Sequence, residues 1–188
     1  MPRAVNAATA DLIQRFEGLH RRLPDGRIGP YLCPAAVWTI GWGSTLAADG
    51  RPVTRDTAPL TVAECDALFR RDLARFSAAV ERLVRVPLAD NQFGALVSFA
   101  HNLGPGRLAA STLLRRVNDA MWTEAGAEFG RWTMAGGQRL QGLVLRREAE
   151  RALFLAPDPQ PEIPAAPAPA TSGAVGRFMA AFDSARKA

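Results

Sequence analysis

The stretch "TIGWGST", residues 39–45, opens on a β-branched pair, sets a glycine on each side of Trp42 and closes on two hydroxyl side chains. Glycine weakens a strand and takes away a side chain that could pack. A chain that keeps two of them here needs its backbone turned sharply or approached closely. The reason lies upstream, in "RFEGLH" (15–20) and "YLCPAAVWT" (31–39).

Outward from that stretch the pattern changes on both sides. Leu12, Ile13, Phe16, Leu19 and Leu23 recur at helical spacing, which predicts a first helix capped by Thr9 and ended by the turn cluster "PDGRIGP" (24–30). From Tyr31 to about Val53, aromatic and β-branched residues broken by Gly, Pro and "ADGRP" (48–52) predict a small antiparallel sheet. Thr61 and Glu64 fit a capping box, which opens a long helix stopped by Pro87. A second helix follows Asp90 and ends at "NLGPG" (102–106), and further helical segments fall near 111–118, 121–133 and 140–156. The fold class is α+β: an N-terminal helix and a small antiparallel sheet beside a mostly helical lobe.

Composition shifts sharply after Leu155. "APDPQPEIPAAPAPATSG" (156–173) reads as an extended Pro/Ala linker. Beyond it, 174–188 places Val175, Phe178, Met179 and Phe182 on one helical face, too short a segment to fold without something to dock on. The folded domain therefore spans 1–155. The terminal helix either docks on that domain or makes a weak contact with a membrane or partner.

The bulk numbers exclude several classes. No run of eighteen apolar residues suggests a membrane span, and the N-terminus lacks the apolar core of an export signal. The expected location is the cytoplasm until the protein is released. Two cysteines, Cys33 and Cys65, and two histidines, His20 and His101, supply neither a disulfide framework nor a metal centre, and no cofactor motif appears. A net charge of +5 favours a polyanionic partner. Nucleic acid is not expected, because the basic residues are scattered along amphipathic helices rather than interleaved with aromatics in a stripe. The segment after Leu155 carries three acidic and three basic side chains, so the whole excess sits on the folded domain.

Glu17 stands beside Phe16 near the C-terminal end of the first helix. Apolar neighbours and the negative end of the helix dipole both disfavour its charge, so the sequence predicts a raised pKa suited to a general acid. Read with Cys33 and Thr39, separated by five residues and leading into a glycine-containing strand, it resembles the lysozymes of tailed phages and prophages, the endolysins of glycoside hydrolase family 24. "LTVAECDALFRRDL", "VPLADNQFGALVSFAHNLGPG", "STLLRRVN", "EFGRW" and "GLVLRREAERALFL" continue the resemblance in order, over roughly residues 7–155.

The resemblance implies a monomeric muramidase acting on bacterial peptidoglycan, with Glu17 as acid and Cys33 and Thr39 handling the attacking water. It also implies that Arg146 lies near Glu17, and that "TIGWGST" is the floor strand of a sugar cleft, its glycines admitting the sugar and Trp42 and Trp38 offering apolar surface. One departure stands out. Fifteen residues separate Glu17 from Cys33 where the family has about eight. Either "RRLPDGRIG" (21–29) is an inserted turn, or Asp25, eight positions after Glu17, takes the second catalytic role. A disulfide between Cys33 and Cys65 would mask the thiol.

Overall fold

A computed structural model describes residues 2–33 and 36–158. Helix α1 covers Ala7–Glu17. Its cap is Asn6, not Thr9: the Asn6 side chain accepts from Thr9 N at 3.0 Å, and the buried Thr9 hydroxyl donates to the same oxygen at 2.8 Å. The helix stops earlier than the apolar spacing suggested. Gly18, at φ +64°, returns its N–H to Gln14 O and makes Glu17 the last helical residue. Leu19 and Leu23 thus leave the helical face, and the chain instead turns back on itself through bridges between Arg22 and Ile28 and between Ile28 and Leu60.

Strands β1 (Tyr31–Leu32) and β2 (Trp38–Thr39) pair antiparallel, with Tyr31 opposite Thr39. Beyond β2 the chain makes a tight turn rather than a floor strand: Ile40 and Ser44 exchange both backbone hydrogen bonds, at 2.9 and 3.0 Å, around Gly41 and Gly43. Helix α2 (Val62–Leu83) opens with both bonds of the capping box formed between Thr61 and Glu64. It ends short of Pro87 because Asn118 intervenes. The Asn118 amide donates to Leu83 O at 3.2 Å and accepts from Arg85 N at 2.8 Å, pulling the chain out of the helix.

Helix α3 (Asp90–Leu103) is the centre of the domain, buried on nearly every side from Phe93 to Ala100. Its first residue is preceded by Ala89, which has no capping group. The Asp158 carboxylate fills that place, accepting from Asp90 N and Asn91 N at 2.7 Å each. A carboxylate there also suits the positive end of the helix dipole. The packed chain therefore runs beyond Leu155 to at least Asp158. The rest of the expected linker and the helix at 174–188 lie outside the described residues.

Short helices α4 (Pro105–Ala109), α5 (Thr112–Asn118) and α6 (Trp122–Glu128), a 3₁₀ turn at Phe129–Arg131, and a hairpin of β3 (Met134–Ala135) and β4 (Gln138–Arg139) lead into α7 (Gln141–Leu155). Neither α4 nor this hairpin was evident in the hydrophobic pattern. The main core gathers Ile13, Phe69, Val80, Phe99, Leu113, Phe129 and Phe154 around α3. A smaller one, Ile40, Val53 and Leu68 with Trp38 and Leu60 against it, supports the strand region. Helix α2 feeds both, through Leu68 on one face and Phe69 on the next.

Candidate active site

Because α1 ends on Glu17, its carboxylate projects from the helix terminus into a junction of four elements. From α7, Arg146 Nη1 donates to Glu17 Oε1 at 2.7 Å. From α3, His101 Nδ1 lies 3.3 Å from the same oxygen. From the 40–44 turn, the Gly43 backbone presses on the other oxygen: a Cβ at Gly43 would stand 2.8 Å from Oε2, and the residue holds φ +91°. Gly41, at φ +61°, likewise leaves no room, since a Cβ there would be 3.0 Å from the Cys65 Cβ. The two glycines of the opening stretch serve these close approaches and the turn itself, where the sequence suggested access for a sugar.

Glu17 Oε2 has no hydrogen-bond partner among the described residues, and the side chain is 18% exposed. The expectation of a raised pKa is overturned. Burial does push it upward, but the contact with His101 and the Arg146 guanidinium outweigh burial and hold it at about 2. The helix dipole is a small effect beside an arginine at hydrogen-bond distance.

Arg146 is no surface residue. Only 4% exposed, it is braced from behind: its Nε lies 3.3 Å from Glu150 Oε1, which also accepts from Ser98 Oγ at 2.7 Å and Arg147 Nη2 at 3.1 Å. Asn102 accepts from Arg147 at 2.9 Å. Loss of hydration drives the two fully buried groups in opposite senses, Glu150 upward despite both guanidinium groups and Arg147 down to about 10. A charged seam thus runs from the interior to the site. Its signal in the sequence was the placing of Arg147, Glu150 and Phe154 on one helical face of α7.

The hairpin of β1 and β2 brings the other candidates together. Tyr31 and Cys33 are two residues apart along the chain and Thr39 is opposite Tyr31, which puts all three on one face. Thr39 is buried and its hydroxyl donates to Val37 O at 3.1 Å; Cys33 is partly exposed. Tyr31, not expected from the sequence, is pushed up to about 12, first by burial and then by the negative charge of Glu17 close by. Asp25 is spent elsewhere. At the exposed tip of the 21–29 turn, its carboxylate accepts from Arg27 N at 3.0 Å and Arg27 Nε at 2.7 Å.

Trp42 is half-buried; its indole N–H donates to Asp66 Oδ1 at 2.7 Å and its ring packs against Phe69, which pins the turn to α2. Trp38 packs on the small core. Both cysteines are free. Cys65 is fully buried beneath Gly41, and burial pushes its thiol up to about 11. Among the described residues no group of His, Cys, Asp and Glu could hold a metal ion.

The chain is similar to known proteins over most of its length. The phage lysozyme family model matches residues 14–150. An endolysin of Acyrthosiphon pisum secondary endosymbiont phage 1 is 37% identical over 148 residues, 76% of this chain and 92% of the relative. The muramidase domain of SpmX from Asticaccaulis excentricus is 39% identical with a TM-score of 0.66, over 82% of this chain and 100% of that one. A variant of P22 lysozyme gives 32% identity and a TM-score of 0.68, over 82% and 99% of the two chains. With a family match that takes in both Glu17 and Arg146, the chain belongs to the phage lysozyme family.

Proposed function

We propose that this protein is a peptidoglycan muramidase that hydrolyses the β-1,4 bond between N-acetylmuramic acid and N-acetylglucosamine, with Glu17 as the general acid. The observation that carries the reading is the asymmetry of the Glu17 carboxylate. Oε1 is occupied by Arg146 and approached by His101, while Oε2 has no partner among the described residues and is left to deliver a proton. At a pKa near 2 the free carboxyl is ionised at neutral pH. A bound glycan that expels water from around it raises the cost of that charge and so favours the protonated acid.

Cys33 and Thr39 take the opposite side of the reaction. As a thiolate acting as base, Cys33 takes a proton from the attacking water that Thr39 orients, and the product anomer is inverted. As a nucleophile the same thiolate attacks the anomeric carbon to form a thioglycosyl intermediate, and water deprotonated by Glu17 then displaces the thiolate, so that the anomer is retained. The anomer of the first product distinguishes the two. The surplus of five positive charges draws the enzyme to the anionic wall, which it reaches as a monomer after leaving the cytoplasm. No described helix is long and apolar enough to cross a membrane.

The test is release of reducing ends from purified peptidoglycan by the parent, Cys33→Ser and Asp25→Asn. The expected loss is about 10²-fold for Cys33→Ser and under about twofold for Asp25→Asn, a surface change away from the chemistry. The reverse pattern would move the second catalytic position to Asp25. Wall binding without reducing ends from any protein would make this a binding protein on a lysozyme scaffold.

A further inference from the structure

His101 has no part in the Glu17, Cys33 and Thr39 chemistry, yet it is built into the site. Its side chain is 4% exposed, and Nδ1 has no aligned hydrogen-bond partner among the described residues although Glu17 Oε1 is 3.3 Å away. A buried polar nitrogen left without a partner is costly, and native interiors seldom keep one without a use. The groups around the ring narrow that use. From α2 come two phenyl rings, Phe69 edge-on at 6.2 Å and Phe76 at 5.1 Å, with Arg75 over the ring of Phe76. The 40–44 turn offers only the backbone of Gly43, where a Cβ would meet His101 Cε1 at 3.4 Å. Charged groups reach this point as Glu17 from α1 and Arg146 from α7, with Tyr31 of β1 near Glu17. Two phenyl rings neither accept nor supply a proton, so Nδ1 has Glu17 to act on.

Arg146 and His101 approach one oxygen but are different kinds of partner. A guanidinium stays charged at every working pH, whereas an imidazole changes charge in the range where enzymes operate. We propose that His101 is a positioning residue for the acid: with Arg146 it holds Glu17 Oε1, leaves Oε2 to carry the proton, and makes the proton affinity of that carboxyl depend on the charge of the imidazole. When the imidazole is charged, Glu17 faces two cations and gives up its proton more readily. When it is neutral, only the arginine remains and the proton is held more firmly. This rests on Glu17 being the acid, but its test requires no turnover.

The experiment is a ¹³C NMR titration of the Glu17 carboxyl in the full chain, for the parent, His101→Phe and His101→Gln. The parent midpoint should lie well below the ordinary carboxyl value. Both variants should raise it, by about one pH unit in His101→Phe and by less in His101→Gln, which keeps a donor. If the Phe variant fails to fold, a raised midpoint in the Gln variant decides the matter. Unchanged midpoints in folded variants that only melt earlier would make His101 a packing residue and overturn the proposal. Absence of muramidase activity would leave either titration result standing.

Discussion

Arg146 reaches a carboxylate at each end of the charged seam, and the two fare differently. At the outer end Glu17 is held at about 2; at the interior end Glu150 is pushed upward. The cation is shared, so it does not explain the contrast. Depth does. Glu150 is fully buried and gives up its hydration to two guanidinium groups that are themselves dehydrated. Glu17 keeps 18% of its side chain in contact with solvent, has a 2.7 Å bond to Arg146, and adds His101. An arginine braced from within by one carboxylate is fixed in place for the other, which is what a site needs in order to hold its acid in one orientation.

Removing the arginine that the two ends share disturbs both of them. Arg146→Ala leaves both carboxylates without it, and truncating one partner of a buried pair costs about 3–5 kcal/mol. Urea unfolding should show that loss, and the Glu17 carboxyl should titrate higher in any fraction that remains folded.

Acid separates the two carboxylates further. Since the folded pKa of Glu17 lies below its ordinary value of 4.5, its contribution to stability is complete above about pH 4.5 and is lost as pH falls through about 2. The amount is on the order of 3 kcal/mol. Glu150 has the opposite sign: raised above its ordinary value, it favours the fold most at low pH and loses that advantage as pH rises through its folded pKa. Urea midpoints measured from pH 5 to pH 2 should therefore fall less steeply in Glu17→Gln than in the parent. The smallest effect belongs to Glu150→Gln, about 1–2 kcal/mol, because the amide still accepts from Ser98 and removes a charge that was costly to bury. A loss as large as that of Arg146→Ala would contradict the depth argument.

Much of this was legible from the chain, for reasons that differ by region. The long helices come from apolar period and caps: Thr61 and Glu64 opened α2 as expected. Local spacing misled at the end of α1, where Leu19 and Leu23 kept the helical rhythm but Gly18 had already taken a left-handed conformation. Glu17, Cys33, Thr39 and Arg146 were singled out from the sequence, and the pairing of Glu17 with Arg146 is present.

The sign of the Glu17 shift was not legible: the resemblance put Arg146 near it, but neither the 2.7 Å bond nor the added His101 could be read from the chain. His101 was hidden by its setting among Phe93, Leu96, Val97 and Ala100, where a polar residue in an all-round buried helix was the signal to follow. Asp158 was hidden by composition, because a Pro/Ala tract gives no sign that its first carboxylate caps a distant helix.

Whether Glu17 is the acid is decided by reducing-end release from purified peptidoglycan by the parent and by Glu17→Gln, with both proteins shown to be folded. Release by the parent is expected, with a loss of about 10³-fold or more in the variant, whose amide keeps the shape of the side chain and cannot donate the proton. Equal release by the two proteins would contradict that role, and the acid would have to be sought elsewhere in the cleft.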